Sequence, residues 1–129
     1  MSGLILYTTE DGTSRIQLRA DGQTVWLTQR GMAELFDVST DNIGLHLKNI
    51  YEDAELAREA TTEESSVVQT EGSRQVQRPV TLYNLNAILA VGYRVRSPRG
   101  VQFRQWASTA LKEYLLKGFV MDDERLKNP

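Results

Sequence analysis

The chain has 129 residues, 40% of them apolar and 25% charged, a composition that supports one packed core in an ordinary globular domain. It contains no cysteine, which excludes disulfides, a thiolate nucleophile and cysteine-ligated metal sites. The formal net charge of −2 argues against nucleic-acid binding by bulk electrostatics, yet the charge is uneven along the chain. From Val76 to Gly118 the bases Arg78, Arg94, Arg96, Arg99, Arg104, Lys112 and Lys117 face the single acid Glu113, whereas Glu52 to Glu71 and Asp122 to Glu124 are acidic.

Leu4 to Tyr7 is followed at once by Thr8, Thr9, Glu10 and Asp11, so the start does not read as a signal peptide. No apolar run approaches the roughly 18 residues of a membrane helix, and a soluble, cytoplasmic protein without membrane contact is expected. The first third predicts antiparallel strands. Asp11-Gly12 and Asp21-Gly22 favour tight turns, Ile16, Leu18 and Ala20 alternate with Arg15, Gln17 and Arg19, and Val25 to Leu27 returns after the second turn.

At Thr28 the period changes. Met32, Ala33, Leu35 and Phe36 share one face of a helix that Thr28 can cap, and after a break at Asp37-Val38, Ser39 can cap a second helix carrying Ile43, Leu47 and Ile50. Asp53 to Ser66, acidic and rich in Thr and Ser, predicts a loop or irregular helix. A second hairpin follows, with Val67 to Thr70 and Gln75 to Tyr83 flanking Glu71-Gly72-Ser73, and Pro79 requires an edge or a bulge. Asn84 then caps a helix over Leu85 to Tyr93. Ser97-Pro98 opens another running to Gly118, with Val101, Phe103, Trp106, Ala107, Ala110, Leu111, Tyr114 and Leu115 as its apolar face. The fold class is α+β: a β-meander, a helix-turn-helix over Thr28 to Glu52, a wing-like hairpin and a C-terminal helical pair.

The small Ala33 lets the two helices approach, and Asp37 stands where the turn needs a left-handed backbone. In such a pair the start of the second helix reaches base edges, which nominates Thr40, Asn42 and Leu45, with Ser39 and Lys48 at phosphates. An ordinary helical hairpin in a core fits the same pattern. Arg94, Arg96 and Arg99 lie before a helix start and, with Arg104, suit a phosphate clamp, although pairing with the acidic stretch Glu52 to Glu71 is an equal alternative. Arg74 and Arg78 would serve a wing against the minor groove.

No phosphate loop, nucleophile elbow or metal spacing occurs, so no catalysis, cofactor or metal is expected. His46, the only histidine, reads as a half-buried packing residue beside Ile43 and Leu47. Trp26 and Trp106 read as core aromatics.

With these residues in view, the chain resembles the RhuM family of bacterial virulence-associated proteins. The resemblance is carried by Ile5-Leu6-Tyr7, Val25-Trp26-Leu27-Thr28-Gln29, Met32-Ala33-Glu34-Leu35-Phe36, His46-Leu47-Lys48-Asn49-Ile50, Tyr83-Asn84-Leu85, Val91-Gly92-Tyr93-Arg94-Val95 and Leu111-Lys112-Glu113-Tyr114-Leu115. The order of elements also resembles, more weakly, the Bro-N domain of phage antirepressors, with Gln29 to Phe36 and Phe103-Arg104-Gln105-Trp106 corresponding best. That likeness implies a DNA-binding, transcription-regulatory module of prophage or mobile-element type. The expected organisation is one domain over residues 1–120, and a polar tail, 121–129, that starts a linker to a further C-terminal region. The expected partner is double-stranded DNA, with another regulatory protein, bound through the acidic surface, as the alternative, and a homo-oligomer as a further expectation.

Overall fold

The computed structural model describes residues 2–117. Three strands come first: β1 (Ser2–Thr8), β2 (Arg15–Asp21) and β3 (Thr24–Thr28) form an antiparallel meander, as the alternation predicts. Gly22, in the two-residue turn between β2 and β3, has φ +66, a conformation open to glycine because it lacks a Cβ. Ile5, Tyr7, Ile16, Leu18, Ala20, Val25 and Leu27 are buried on one face of the sheet, while Leu4, Leu6 and Gln17 are exposed on the other. Trp26 lies on that outer face, half-buried, with the Arg19 guanidinium 5.8 Å from its ring. It is therefore not a core aromatic, because the strand alternation turns it away from the helices. Trp106 does pack on the core, 4.7 Å from the Tyr7 ring.

α1 (Gln29–Phe36) starts where predicted, the Thr28 hydroxyl accepting from the Gly31 N–H at 3.0 Å. It stops at Asp37, whose left-handed backbone (φ 58, ψ 50) and the bond from Val38 N–H to the Ala33 carbonyl close the last turn. α2 (Thr40–Glu52) follows at once, with the Ser39 hydroxyl accepting from Asn42 N–H at 3.0 Å, and buries Ile43, Leu47 and Ile50.

The stretch expected to be irregular up to Ser66 instead holds a one-turn helix, α3 (Arg58–Thr61), and then strand β4 (Thr62–Glu71). The strand escapes a pattern search because it buries neither face, so no apolar alternation marks it. β4 pairs along its whole length with β5 (Arg74–Asn84), and the sheet order is β1-β2-β3-β5-β4. β3 meets β5 only from Trp26 opposite Asn84 to Thr28 opposite Leu82. Beyond Leu82, β4 and β5 continue as a ribbon unpaired with β3 for roughly 25 Å at about 3.4 Å per residue. Pro79 lies there, opposite Ser66, where its missing N–H breaks no bond to β3.

α4 (Leu85–Arg94) is capped by the Asn84 side chain, which accepts from Ala87 N–H at 3.2 Å. α5 (Pro98–Trp106) and α6 (Lys112–Lys117) are joined by a π-helical turn, Ala107–Leu111, and do not form one uniform helix. Hydroxyls bonded back to preceding carbonyls accompany the wide turn: Ser108 to Gln105, and Thr109 to Gln105 and Trp106. Phe103, Ala107, Leu111, Tyr114 and Leu115 are buried, whereas Val101 and Ala110, expected on the same face, are exposed. The expected helix end at Gly118 and the polar tail 121–129 lie outside the described residues. The helices cover one face of the sheet, and the core closes on Phe103, edge-on to Tyr7 (5.6 Å, 89°) and Phe36 (6.0 Å, 87°).

Candidate nucleic-acid interface

The residues nominated on α2 divide between two flanks. Asp41, Leu45, Lys48 and Glu52 recur at intervals of four, three and four residues and form its exposed line, with Thr40 beside them. Leu45 is 56% exposed, although a leucine there contributes nothing to the core. Asn42 stands on the neighbouring flank with His46 and Asn49, all half-buried. Burial and then the nearby charge of Arg94 lower the His46 pKa, so the ring is neutral near pH 7, as suits a packing residue. Ser39 keeps its hydroxyl in the cap. Lys48 Nζ lies 4.0 Å from Glu52, a loose and exposed contact.

The arginines do not form a single open face. Arg94 pairs with Glu55 at 2.6 Å, and Arg78 with Glu71 at 2.5 Å, so for these two the acidic stretch is the partner. Arg99 turns elsewhere and is only 11% exposed. Its guanidinium donates to Asp11 Oδ2 (2.9 Å), Thr13 Oγ1 (2.5 Å), Ser14 Oγ (3.4 Å) and the Glu34 carbonyl (2.9 Å). With its fork occupied in tying the β1–β2 turn to α1, Arg99 is a structural residue and not the open phosphate contact that its sequence setting suggests. Arg104 donates to the Gly92 carbonyl at 3.0 Å and stacks 4.2 Å from the Tyr93 ring, holding α5 against α4.

Arg74 and Arg96 are exposed and have no ion-pair partner among the described residues. The same holds for Arg30 on α1, a residue sequence reasoning passed over because a lone arginine after a helix cap carries no pattern.

The geometry joins α2 and the ribbon at one end of the sheet. Thr28 pairs with Leu82 at the last rung between β3 and β5 and also caps α1. The adjacent Gln29 donates from Nε2 to the Thr40 carbonyl at 2.7 Å, which fixes the first turn of α2 at the point where the ribbon leaves the sheet. From Ser66 to Gln75 every residue is exposed, whichever face of the ribbon carries it, and Arg74 stands beside the tip at Gly72-Ser73. The arm from Ser66 to Gln75 therefore adds no buried side chain to the core.

Elsewhere, a groove of about 490 Å³ runs between α4 and the α5–α6 segment, walled by Leu85, Leu89, Tyr93, Val101, Leu115 and Leu116. Among the described residues there is no cluster of histidine and carboxylates able to hold a metal, and no helix long and apolar enough to cross a membrane.

The family model of the Virulence protein RhuM family matches residues 60–129, more than half of the chain. No curated protein and no solved structure matches it.

Proposed function

We propose that this chain, which belongs to the Virulence protein RhuM family, binds double-stranded DNA as a regulatory module, with α1 and α2 acting as a helix-turn-helix and the β4–β5 ribbon as a wing. One observation carries the reading: the first turn of α2 and the root of a bare, projecting ribbon are tied to the same end of β3. A helix in the major groove beside an arm along the flanking backbone would use both. Thr40, Leu45 and the flank of Asn42 would meet base edges. Phosphates would fall to Lys48, Arg74, Arg96 and Arg30, since Arg94, Arg99 and Arg104 are held internally. The reading assigns no catalysis and a cytoplasmic setting.

With phosphates assigned to these four cations, the electrostatic part of binding is moderate. Four phosphate contacts give a slope of log affinity on log salt of about −3.6, or roughly a hundredfold loss between about 50 and 200 mM salt. Fluorescence anisotropy on a pool of genomic duplex fragments measures it. Arg96→Ala and Lys48→Ala should each flatten the slope by about one. Absence of binding at low salt, or affinity indifferent to salt, overturns the reading.

The carboxylates of Asp41 and Glu52 on the exposed line of α2 favour a second reading, in which the acidic surface engages another regulatory protein. Capture of a repressor that persists in the Lys48→Ala/Arg96→Ala double variant, without DNA binding, would select it.

A further inference from the structure

We infer that β1 is a self-pairing edge, through which two copies of this chain join their sheets in an antiparallel, two-fold dimer. The inference is independent of the DNA-binding reading. β1 is the terminal strand of the sheet, and its outer side meets no other strand among the described residues. Which backbone groups face outward follows from the ladder. One position beyond the last rung, Thr8 opposite Arg15, Thr9 N–H donates to the Ser14 carbonyl at 3.0 Å, so the backbone of Thr9 faces β2. Antiparallel pairs alternate in kind, so Tyr7, Ile5 and Gly3 also bond to β2, while the N–H and C=O of Leu4, Leu6 and Thr8 point to the open edge.

Edge strands commonly avoid pairing through a charged side chain, a proline or a bulge. β1 has none of these: Ser2 to Thr8 reads SGLILYT, and its register on β2 runs unbroken from Ser2 opposite Asp21 to Thr8 opposite Arg15. The opposite edge is different, since β4 carries Glu63, Glu64 and Glu71.

The exposed side chains of β1 select its partner. Leu4 is 69% and Leu6 54% exposed. A two-fold axis through Ile5 sets Leu4 opposite Leu6 of the second copy, and Leu6 opposite its Leu4. These facing pairs exchange both of their backbone hydrogen bonds and cover one another's side chains. The same axis sets Ile5 beside its own counterpart. The strand is thus complementary to itself, as an isologous dimer requires.

Sedimentation velocity of the 129-residue chain over about 1 to 200 µM tests this. The expected result is a reversible dimer. Leu4→Lys/Leu6→Lys sets like charges opposite one another and should weaken association at least about a hundredfold, with far-UV circular dichroism unchanged because both side chains are exposed in the monomer. Mixing it with Leu4→Glu/Leu6→Glu should restore a heterodimer. Leu6→Pro, which removes an N–H that faces outward and leaves the β1–β2 bonds intact, should also give a monomer. A wild-type chain that stays monomeric throughout, or a dimer that survives both the lysine pair and Leu6→Pro, overturns the inference.

Discussion

Arg99 has more acceptors than any other arginine of the described chain, and it sits at the crossing of three segments distant in sequence: the β1–β2 turn, α1 and the start of α5. Its partner Asp11 also accepts from the hydroxyls of Thr9 (2.7 Å) and Thr13 (2.9 Å) and from the Thr13 N–H (3.0 Å). These bonds, the Thr9 hydroxyl foremost, then the Thr13 N–H and Arg99, hold the Asp11 carboxyl well below the ordinary carboxylate range. A depressed folded-state pKa means that the carboxylate contributes stability above the unfolded value of about 3.9, and loses it as pH falls through the folded value. Arg99→Ala is expected to cost about 2 kcal/mol by thermal or urea denaturation, and Arg99→Lys should recover only part of it, having no fork. Asp11→Asn should lower the melting temperature at pH 7, with the gap from wild type closing as pH falls below about 4. A gap that widens on acidification would contradict this account. None of it was readable beforehand, because Arg99 beside Pro98 looks the same in sequence whether its fork is open or occupied.

At the scale of elements, what was legible was written locally. Thr28, Ser39 and Asn84 cap the helices assigned to them, and Asp37 takes the left-handed turn, because a cap is decided within a few residues of the chain. Length and continuity were not. The start of β4 at Thr62 was hidden by its exposure, and the π-helical turn by the ordinary helical composition around it. Helix packing also lay beyond the sequence: α4 and α5 cross so closely that a Cβ on Gly100 would come within 2.7 Å of the Gly92 carbonyl and 3.2 Å of Val95. The nearer of these is backbone and cannot rotate aside. Gly100→Ala is therefore expected to destabilise the protein by about 1–3 kcal/mol in chemical denaturation, despite alanine's better helix propensity. A stabilised variant would show that the crossing is looser than described.

For the molecule as a whole, the ribbon from Ser66 to Pro79 buries no side chain, so folding should not depend on it. Replacing Ser66 to Pro79 with Asn-Gly joins Ser65 to Val80, residues already paired, through a turn suited to a two-residue hairpin. Melting should shift by no more than about 0.5 kcal/mol in stability, while duplex affinity in the anisotropy assay falls. Loss of folding would make the arm part of the core, and undiminished affinity would remove it from the interface. By itself the sequence determined the α+β class, the meander, the two capped helices and the second hairpin, since apolar period, turn glycines and caps act over a few neighbouring residues. Tertiary structure alone decided which charges remain open. Arg94, Arg78 and Arg99 found carboxylates, while Arg30, Arg74 and Arg96 remain without one among the described residues, because an ion pair depends on which distant segments the fold brings within a few ångströms.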